Sequence, residues 1–424
     1  MGKKSKKTPK KANRVTAAKV AYIVSAFPML TETFILYEIL AMEQLGLTIE
    51  VYPLLRKRDR VHHTEIDRLI KRTHYARFLS LPILSANWYF IRRSPSVYFK
   101  VWSEVLKGTF GSANFFFGAL GIFPKAVRFA YEMANEKITH VHAQFANHPT
   151  VAALIIHRLT GIPFSFTARG SDVNKDRRML DRKIEAAQFA ITVSEYTKKV
   201  MVDECGPGAG DKIHVIYGGV DTDVLSPDIK SDSDGPLQIL CVARFEEVKG
   251  QTYLVEACRM LRDRGVNFKC HLVGEGPLRS KIEKQITRAA LEDRVKLHSA
   301  CSHTEVIEKL SQADVVALAT VPASSGKREG IPNVLKEAMA CGLPVVGVAI
   351  SGIPELVEHG KSGFLVAPRD TMALADALQR LNDDLELRRS MGLAGRQKIV
   401  RQFNLRTSTA KRAQLFLNGK FTPE

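Results

Sequence analysis

Residues 324–342 read S-S-G-K-R-E-G-I-P-N-V-L-K-E-A-M-A-C-G. Before them, Ala313-Asp-Val-Val-Ala-Leu-Ala-Thr320 is a short, mostly apolar run of the kind a buried parallel strand requires. After them, Leu343-Pro-Val-Val-Gly-Val-Ala349 is a second such run. One helix fits between the two. Pro332 suits its first turn, where a missing N–H would have no partner in any case. Gly342 suits the left-handed position just past its end. The unit is therefore strand, loop, helix, strand.

Two carboxylates stand in this unit, eight positions apart. Glu329 falls on the loop at the first strand's carboxyl end, and Glu337 falls on the helix. Open parallel sheets bind ligands at that edge. The unpaired N–H groups of the helix start, around Gly330, Ile331, Asn333 and Val334, favour an anion. An acid ahead of a phosphate site and an acid beside it suit a sugar nucleotide. One would accept hydrogen bonds from sugar hydroxyls and the other from ribose hydroxyls. The bland alternative is a core strand–helix–strand unit with two solvated acids, and the spacing alone does not separate the two.

The wider context does. E-G-I-P-N-V-L-K-E-A-M-A-C-G-L-P-V-V, followed by Ser351-Gly-Ile-Pro-Glu-Leu-Val357 and Gly363-Phe-Leu-Val366, resembles the retaining, GT-B-fold glycosyltransferases called group 1 or family 4. The resemblance covers about residues 20–418 and is densest from Leu237 to Val366. It implies an α/β chain of two Rossmann-like domains facing across a cleft. Residues 20–228 would form the acceptor domain and 236–402 the donor domain, with 403–424 crossing back to the first. The implied reaction moves a sugar from a UDP- or GDP-sugar to an acceptor hydroxyl with retained anomeric configuration, and without a metal. The implied acceptor is an exopolysaccharide or lipid-linked glycan. Glu329 would hold donor-sugar hydroxyls and stabilise positive charge at the anomeric carbon, and Glu337 would hold the ribose. Two rivals keep the fold but change the chemistry: a sugar-nucleotide epimerase, and a non-catalytic membrane-bound scaffold.

The chain has 424 residues, enough for two domains of ordinary size, and 45% apolar residues, which suits a globular core. Six scattered cysteines with no CxxC pair read as reduced, buried thiols of a cytoplasmic protein. The net charge of +18 is partly local. Residues 1–20 hold Lys3, Lys4, Lys6, Lys7, Lys10, Lys11, Arg14 and Lys19 with no acid. Residues 1–19 are expected to be a disordered basic tail, suited to anionic lipid or serving only solubility. Lys6 occupies the hydroxyl position of a myristoylation signal and rules that signal out. Val20 to Leu30 after these lysines mimics a signal peptide but serves better as a first core strand. No stretch reaches the roughly 18 apolar residues of a spanning helix. The expectation is a cytoplasmic protein, peripheral on the inner face of the cell membrane where it meets anionic lipid. High charge alone suggests nucleic acid, but no motif that reads one is present.

Along the chain, F-P-x-L-T-E-T-F-I-x-x-E-I from Phe27 resembles the first loop of the colanic-acid-like exopolysaccharide branch of the family. There the loop approaches donor phosphate and acceptor, which puts Thr31 and Glu32 at the acceptor. Residues 81–131 interleave aromatics with cations, the composition of basic amphipathic helices at a membrane interface or of a helical insert packed on the first domain. His142-Ala-Gln-Phe-Ala resembles the family's I-H-A-H-F-A, with Gln144 where a second His is common. Pro163-Phe-Ser-Phe-Thr-Ala-Arg-Gly-Ser-Asp-Val173 resembles P-x-x-x-T-x-H-G-x-D, with Arg169 in the His position. The resemblance puts His142 and Arg169 among the catalytic residues. An Arg there can hold a phosphate or an acidic sugar, or point elsewhere.

Asp221-Thr-Asp223 and Asp232-Ser-Asp234 both spell the D-x-D of metal-dependent glycosyltransferases. One lies in a linker motif and the other in the polar run that marks the domain boundary, so neither is assigned to a metal. Arg244 and Lys249 follow the first strand of the second half and match family residues that grip the donor diphosphate. Two fixed cations would offset charge building on the leaving nucleotide. Gly274 and Gly276 fall in a V-G-x-G-P turn expected near the nucleotide. It is not a dinucleotide fingerprint, because the third glycine would fall at Arg279. Arg244, Lys249 and Glu337 are expected to face one common hollow.

Overall fold

A computed structural model describes residues 19–29, 33–56, 68–78, 80–174, 176–227 and 235–418. Two six-stranded, wholly parallel sheets organise it. The first comprises β1 (Lys19–Phe27), β2 (Thr48–Arg56), β3 (His140–Gln144), β4 (Phe164–Ala168), β5 (Phe189–Thr192) and β6 (Ile213–Val215), in the order β2-β1-β3-β4-β5-β6. The second comprises β7 (Leu237–Val242), β8 (Phe268–Val273), β9 (Val295–His298), β10 (Val315–Ala317), β11 (Val345–Val348) and β12 (Gly363–Val366), in the order β12-β11-β10-β7-β8-β9. Both faces are covered, as in β3, β4 and β5, where every residue is buried, the polar His140, His142, Gln144, Ser165 and Thr167 included. The order reverses beside β1 in one sheet and beside β7 in the other, which are the places where such sheets open a crevice.

The strand–helix–strand unit of residues 313–349 forms with shorter strands than the sequence suggests. β10 keeps only Val315–Ala317, paired in register with β11 at Val316↔Val345. Past Leu318, whose N–H still donates to the Val346 carbonyl at 2.9 Å, the chain runs against Gly250, where a Cβ would lie 1.7 Å from the Ala319 carbonyl oxygen. Pro332 sits one position earlier than expected, as the N-cap of helix Asn333–Ala340. Gly342 takes the left-handed conformation past its end, with φ +75°.

Between β2 and β3 the described residues of the first domain include the helices Leu81–Arg93, Pro95–Thr109 and Ala113–Asn135. They bury Phe90, Val101, Val105, Phe115, Phe123 and Phe129 in the first domain's core. The last helix, Leu405–Asn418, leaves the second domain and packs on helix Thr33–Gln44 of the first. Its Phe416 ring meets Tyr22, His142 and Phe189 at centroid distances of 6.2, 5.0 and 5.9 Å. The two connections between domains run side by side, with Val220 N–H donating to the Phe403 carbonyl at 2.8 Å and Leu405 N–H to the Val220 carbonyl at 3.0 Å.

That last helix is anchored by charge as well as by apolar contact. Arg412 Nη1 lies 2.9 Å from Glu38 Oε2, and both side chains are 2% exposed. Tyr22 Oη and Gln144 Nε2 donate to Glu38 Oε1 at 3.0 and 2.9 Å, and Arg169 Nη2 reaches Oε2 at 3.3 Å. Burial pushes the Glu38 carboxyl up, but Arg412 and then Arg169 outweigh it and bring it to about 2.

A carboxyl held below its unfolded value stabilises the fold above that value and loses the effect as pH falls toward the folded one. Glu38 therefore contributes to an acid-sensitive loss of stability between about pH 4.5 and pH 2. Arg412→Ala is expected to cost about 3–5 kcal/mol at pH 7, because it strands a buried charge. It should also make the acid dependence shallower. Urea unfolding at pH 7 and pH 3 checks both, and an Arg412→Ala protein with unchanged midpoints would refute the assignment.

Candidate functional site

The loop after β7 and the loop after β10 lie side by side and are stitched together. Val321 N–H donates to the Val248 carbonyl at 3.1 Å, and Ser324 donates to Glu247 through N–H at 3.0 Å and Oγ at 2.8 Å. Glu246 holds Lys327 at 2.7 Å and Arg244 at 3.2 Å. Lys249 ends the short 3-10 turn Glu247–Lys249, and Gly250 follows in the left-handed region at φ +66°. This geometry aims Lys249 Nζ at Glu329 Oε2, 2.5 Å away and mostly shielded from solvent. The cation expected at the diphosphate and the acid expected at the donor sugar thus form one ion pair.

Arg244 lies at the mouth of a hollow of about 370 Å³, with Gly274, Gly276 and Cys301 on its walls. The two glycines are required by close approach. A Cβ on Gly274 would lie 2.1 Å from the Ala243 carbonyl oxygen, and one on Gly276 2.5 Å from that of Phe245. Backbone therefore presses directly against the Arg244 loop. Gln251 Nε2 also fixes that loop by donating to the Arg244 carbonyl at 2.8 Å.

Glu337 faces a second, smaller hollow of about 80 Å³, walled by Phe34, Tyr37, Asn333 and the connection around Val220. Its carboxylate lies 3.6 Å from His303 Nε2, and the His303 Nδ1 lies 3.4 Å from Tyr37 Oη of the other domain. The Glu337 contact raises the His303 pKa against the opposing effect of burial. Sequence reading expected one common hollow for Arg244, Lys249 and Glu337. Arg244 and Cys301 line one hollow, and Glu337 and His303 line another. His303 and Tyr37 escaped the sequence reading because no motif marks them. The capping-box serine at Ser302 was the available signal that a helix starts at this sheet edge.

The helix start approaches the first domain through main chain. Gly170 follows β4 with φ +112°, and a Cβ on Gly330 would lie 2.6 Å from the Arg169 carbonyl oxygen. Asn333 is exposed, while Ile331 and Val334 are half-buried against the second core. Glu355, not assigned a role in the sequence, spans the two domains. Its carboxylate accepts the N–H groups of Glu195 and Tyr196 at 2.8 Å each, capping helix Glu195–Cys205, and the Tyr217 hydroxyl at 3.0 Å.

Two expected catalytic side chains are corrected. His142 is fully buried, with Nδ1 on Ser165 Oγ at 2.8 Å and Nε2 on Thr167 Oγ1 at 2.9 Å. Burial lowers its pKa to about 3, so it is a neutral core residue with no nitrogen open to a substrate. Arg169 turns its guanidinium inward, to Gln144 Oε1 at 2.7 Å and Glu38, and lies over the Phe34 ring at 4.1 Å. Its carbonyl, not its charge, meets the Gly330 loop. Thr31 and Glu32 lie outside the described residues.

The acids near the linker do not gather. Asp221 Oδ1 accepts the Asp223 N–H at 3.0 Å, and Asp223 pairs with Arg406 at 2.6 Å, while Asp232 and Asp234 lie outside the described residues. Among the described residues, Glu50, His74 and Glu136 bring ligand atoms within 4.8 Å of one another. Lys19, at the amino end of β1, already pairs with both acids, at 3.4 and 3.0 Å, on the edge away from the cleft. No helix among the described residues is long and apolar enough to cross a membrane.

Comparison with known proteins finds glycosyltransferases. Residues 226–398 match the family described as glycosyl transferases group 1, and residues 31–224 match glycosyltransferase family 4. The amylovoran biosynthesis glycosyltransferase AmsK of Erwinia amylovora is 39% identical over 194 residues, covering 46% of this chain and 48% of the relative. The putative colanic acid biosynthesis glycosyltransferase WcaL of Escherichia coli K12 is 39% identical over 206 residues, covering 48% and 51%. The match thus spans about half the length of these curated relatives. Among solved structures, a glycosyltransferase from Rickettsia africae has a TM-score of 0.69 at 17% identity, covering 96% of this chain and all of that one. HepE of Anabaena, solved with UDP and glucose, has a TM-score of 0.68 at 19% identity, covering 94% and 98%. Two Rossmann-like domains in the GT-B arrangement therefore make up this chain, a family 4 glycosyltransferase domain over residues 31–224 and a group 1 glycosyl transferase domain over residues 226–398.

Proposed function

We propose that the protein transfers a sugar from a nucleotide sugar to an acceptor hydroxyl during exopolysaccharide or lipid-linked glycan assembly. The observation that carries this reading is the Lys249–Glu329 pair at the junction of β7 and β10, with Arg244 and Glu337 on the adjoining hollows. Lys249 and Arg244 would hold the diphosphate, Glu337 the ribose, and Glu329 the sugar hydroxyls. The acceptor would enter from the first domain, beside Gly170. The names of similar proteins support the class: amylovoran and colanic acid biosynthesis for two of them, and GDP-mannose-dependent mannosyl transfer for one from Mycobacterium tuberculosis, 30% identical over 252 residues.

The anomeric carbon–phosphate oxygen bond breaks while a bond from the acceptor oxygen forms on the same face. The acceptor proton passes to the leaving phosphate, so configuration is retained and no covalent enzyme intermediate is needed. Glu329 stabilises the positive charge that develops at the anomeric carbon. The fixed cations take the place of a metal at the diphosphate.

Losing one charged hydrogen bond at the diphosphate costs roughly 1.5–3 kcal/mol, about tenfold to over a hundredfold in rate. Arg244→Ala and Lys249→Ala should each lower kcat/KM by that much, and activity should survive EDTA. Near-normal turnover of both variants would remove the two cations from the mechanism.

Donor identity is separable from turnover. UDP-, GDP- and ADP-sugars are screened for protection against thermal unfolding, and one base should raise Tm in proportion to the logarithm of its concentration. Glu337→Ala should abolish that shift. A shift of equal size in the Glu337→Ala protein would sink the ribose assignment.

A further inference from the structure

From Tyr75 to Tyr131 the first domain carries seven cations and one acid, Glu104, which is itself tied to Arg158 at 3.2 Å. The outward face of this insert is apolar as well as basic. Leu81, Leu84 and Trp88 recur at helical spacing on helix Leu81–Arg93 and are all exposed, Leu81 at 82%, while Ile83, Ala86 and Phe90 face the core. Phe117, 69% exposed, lies one turn from Gly121, where a Cβ would touch the exposed Phe78 ring at 3.8 Å. Arg92 lies over Trp88 at 5.8 Å and Arg93 over Tyr89 at 5.7 Å. Amphipathic rings interleaved with guanidinium groups match the headgroup level of an anionic bilayer, where rings sit among glycerol esters and cations meet phosphates.

The position of this face relates it to the cleft. Tyr75 Oη donates to the carbonyl of Phe27, the last residue of β1, at 3.1 Å. At the start of helix Ala113–Asn135, Ser112 Oγ donates to Asp176 Oδ2 at 2.5 Å, and Phe115 stacks on His148 at 4.9 Å. Asp176 and His148 follow the carboxyl ends of β4 and β3. Phe78, Phe117 and the start of helix Leu81–Arg93 therefore sit at the same sheet edge as Gly170, where the first domain meets the Gly330 loop.

We propose that this face docks the protein on an anionic lipid bilayer, so that the acceptor side of the cleft opens at the membrane surface and takes a lipid-linked saccharide from it. The acceptor class rests on the transferase reading; the docking does not.

Full-length protein is sedimented with vesicles of phosphatidylcholine alone or mixed with phosphatidylglycerol. Binding to the mixed vesicles is expected. The combined Leu81→Ser, Trp88→Ser and Phe117→Ser protein should partition about a thousandfold less, since each ring or branched chain withdrawn from the interface is worth about tenfold. Arg92→Glu with Arg93→Glu leaves the core untouched and should also weaken binding. Unchanged partitioning of both variants overturns the proposal and assigns adsorption to the basic run at residues 3–19. No binding by the unmodified protein overturns it directly, as does a concentration-dependent dimer that the serine substitutions abolish. Sugar transfer to a soluble acceptor by protein that ignores vesicles would sink the docking alone, and vesicle binding without donor turnover would sink the transferase reading alone.

Discussion

Glu38 is buried as a charge, and a charge so placed must be paired or it destabilises the fold by several kcal/mol, about the whole margin of a domain. Its partners come from far along the chain: Tyr22 in β1, Gln144 at the end of β3, Arg169 after β4, and Arg412 in the last helix. Satisfying one carboxylate therefore fixes four segments at once. The last helix is held on the first domain although it follows the second in sequence. The β4 loop is held at the height where its backbone can meet the second domain. The cleft inherits its geometry from this cluster, since Gly170 is the next residue after Arg169 and faces Gly330.

The cluster also accounts for the two places where this chain departs from the family pattern it resembles. Gln144 and Arg169 stand where histidines are common, and each departure alone would read as damage to a site. They touch one another: the Arg169 guanidinium donates to the Gln144 side chain at 2.7 Å, and Gln144 donates onward to Glu38. An amide can accept from a guanidinium with its oxygen and donate to a carboxylate with its nitrogen, which suits it to the gap between them. In this chain the two positions form one unit, a guanidinium–amide pair over a buried acid. The gain is a rigid β4 loop, because Phe34 covers the other side of the guanidinium at 4.1 Å.

Much of the frame could be read from the chain because it is written locally. Mostly apolar runs mark β10 and β11, and Gly342 closes its helix in the conformation that glycine permits at least cost. The Glu329 loop and the Arg244–Lys249 turn could be placed at one sheet edge, because both follow apolar runs read as parallel strands, whose carboxyl ends share an edge. Side-chain direction could not be read. The resemblance put His142 among the catalytic residues, yet in β3, where every residue is buried, its ring is held in the core by Ser165 and Thr167. Arg169 lies on the right loop, but its charge is drawn away by an acid 131 positions earlier. His303, Tyr37 and Glu355 depend on contacts between domains, for which no sequence window of local length carries a signal.

The Lys249–Glu329 pair bears on how such a site can be ready for a charged donor. A lysine and a glutamate 2.5 Å apart and mostly shielded compensate each other, so neither presents a bare charge at the sheet edge. A diphosphate offers the ammonium a second anion, and sugar hydroxyls offer the carboxylate neutral donors, so both groups can gain partners without either losing its charge. On the proposed reading, the exchange would place a negative oxygen near the carbon from which the nucleotide departs, at a distance set by protein atoms already in place. Preorganisation of this kind lowers the barrier because little reorientation remains when charge develops. The surrounding glycines serve the same end. Gly250, Gly274 and Gly276 let three backbone segments close in to distances that no other residue permits, which leaves the Arg244 loop little room to move.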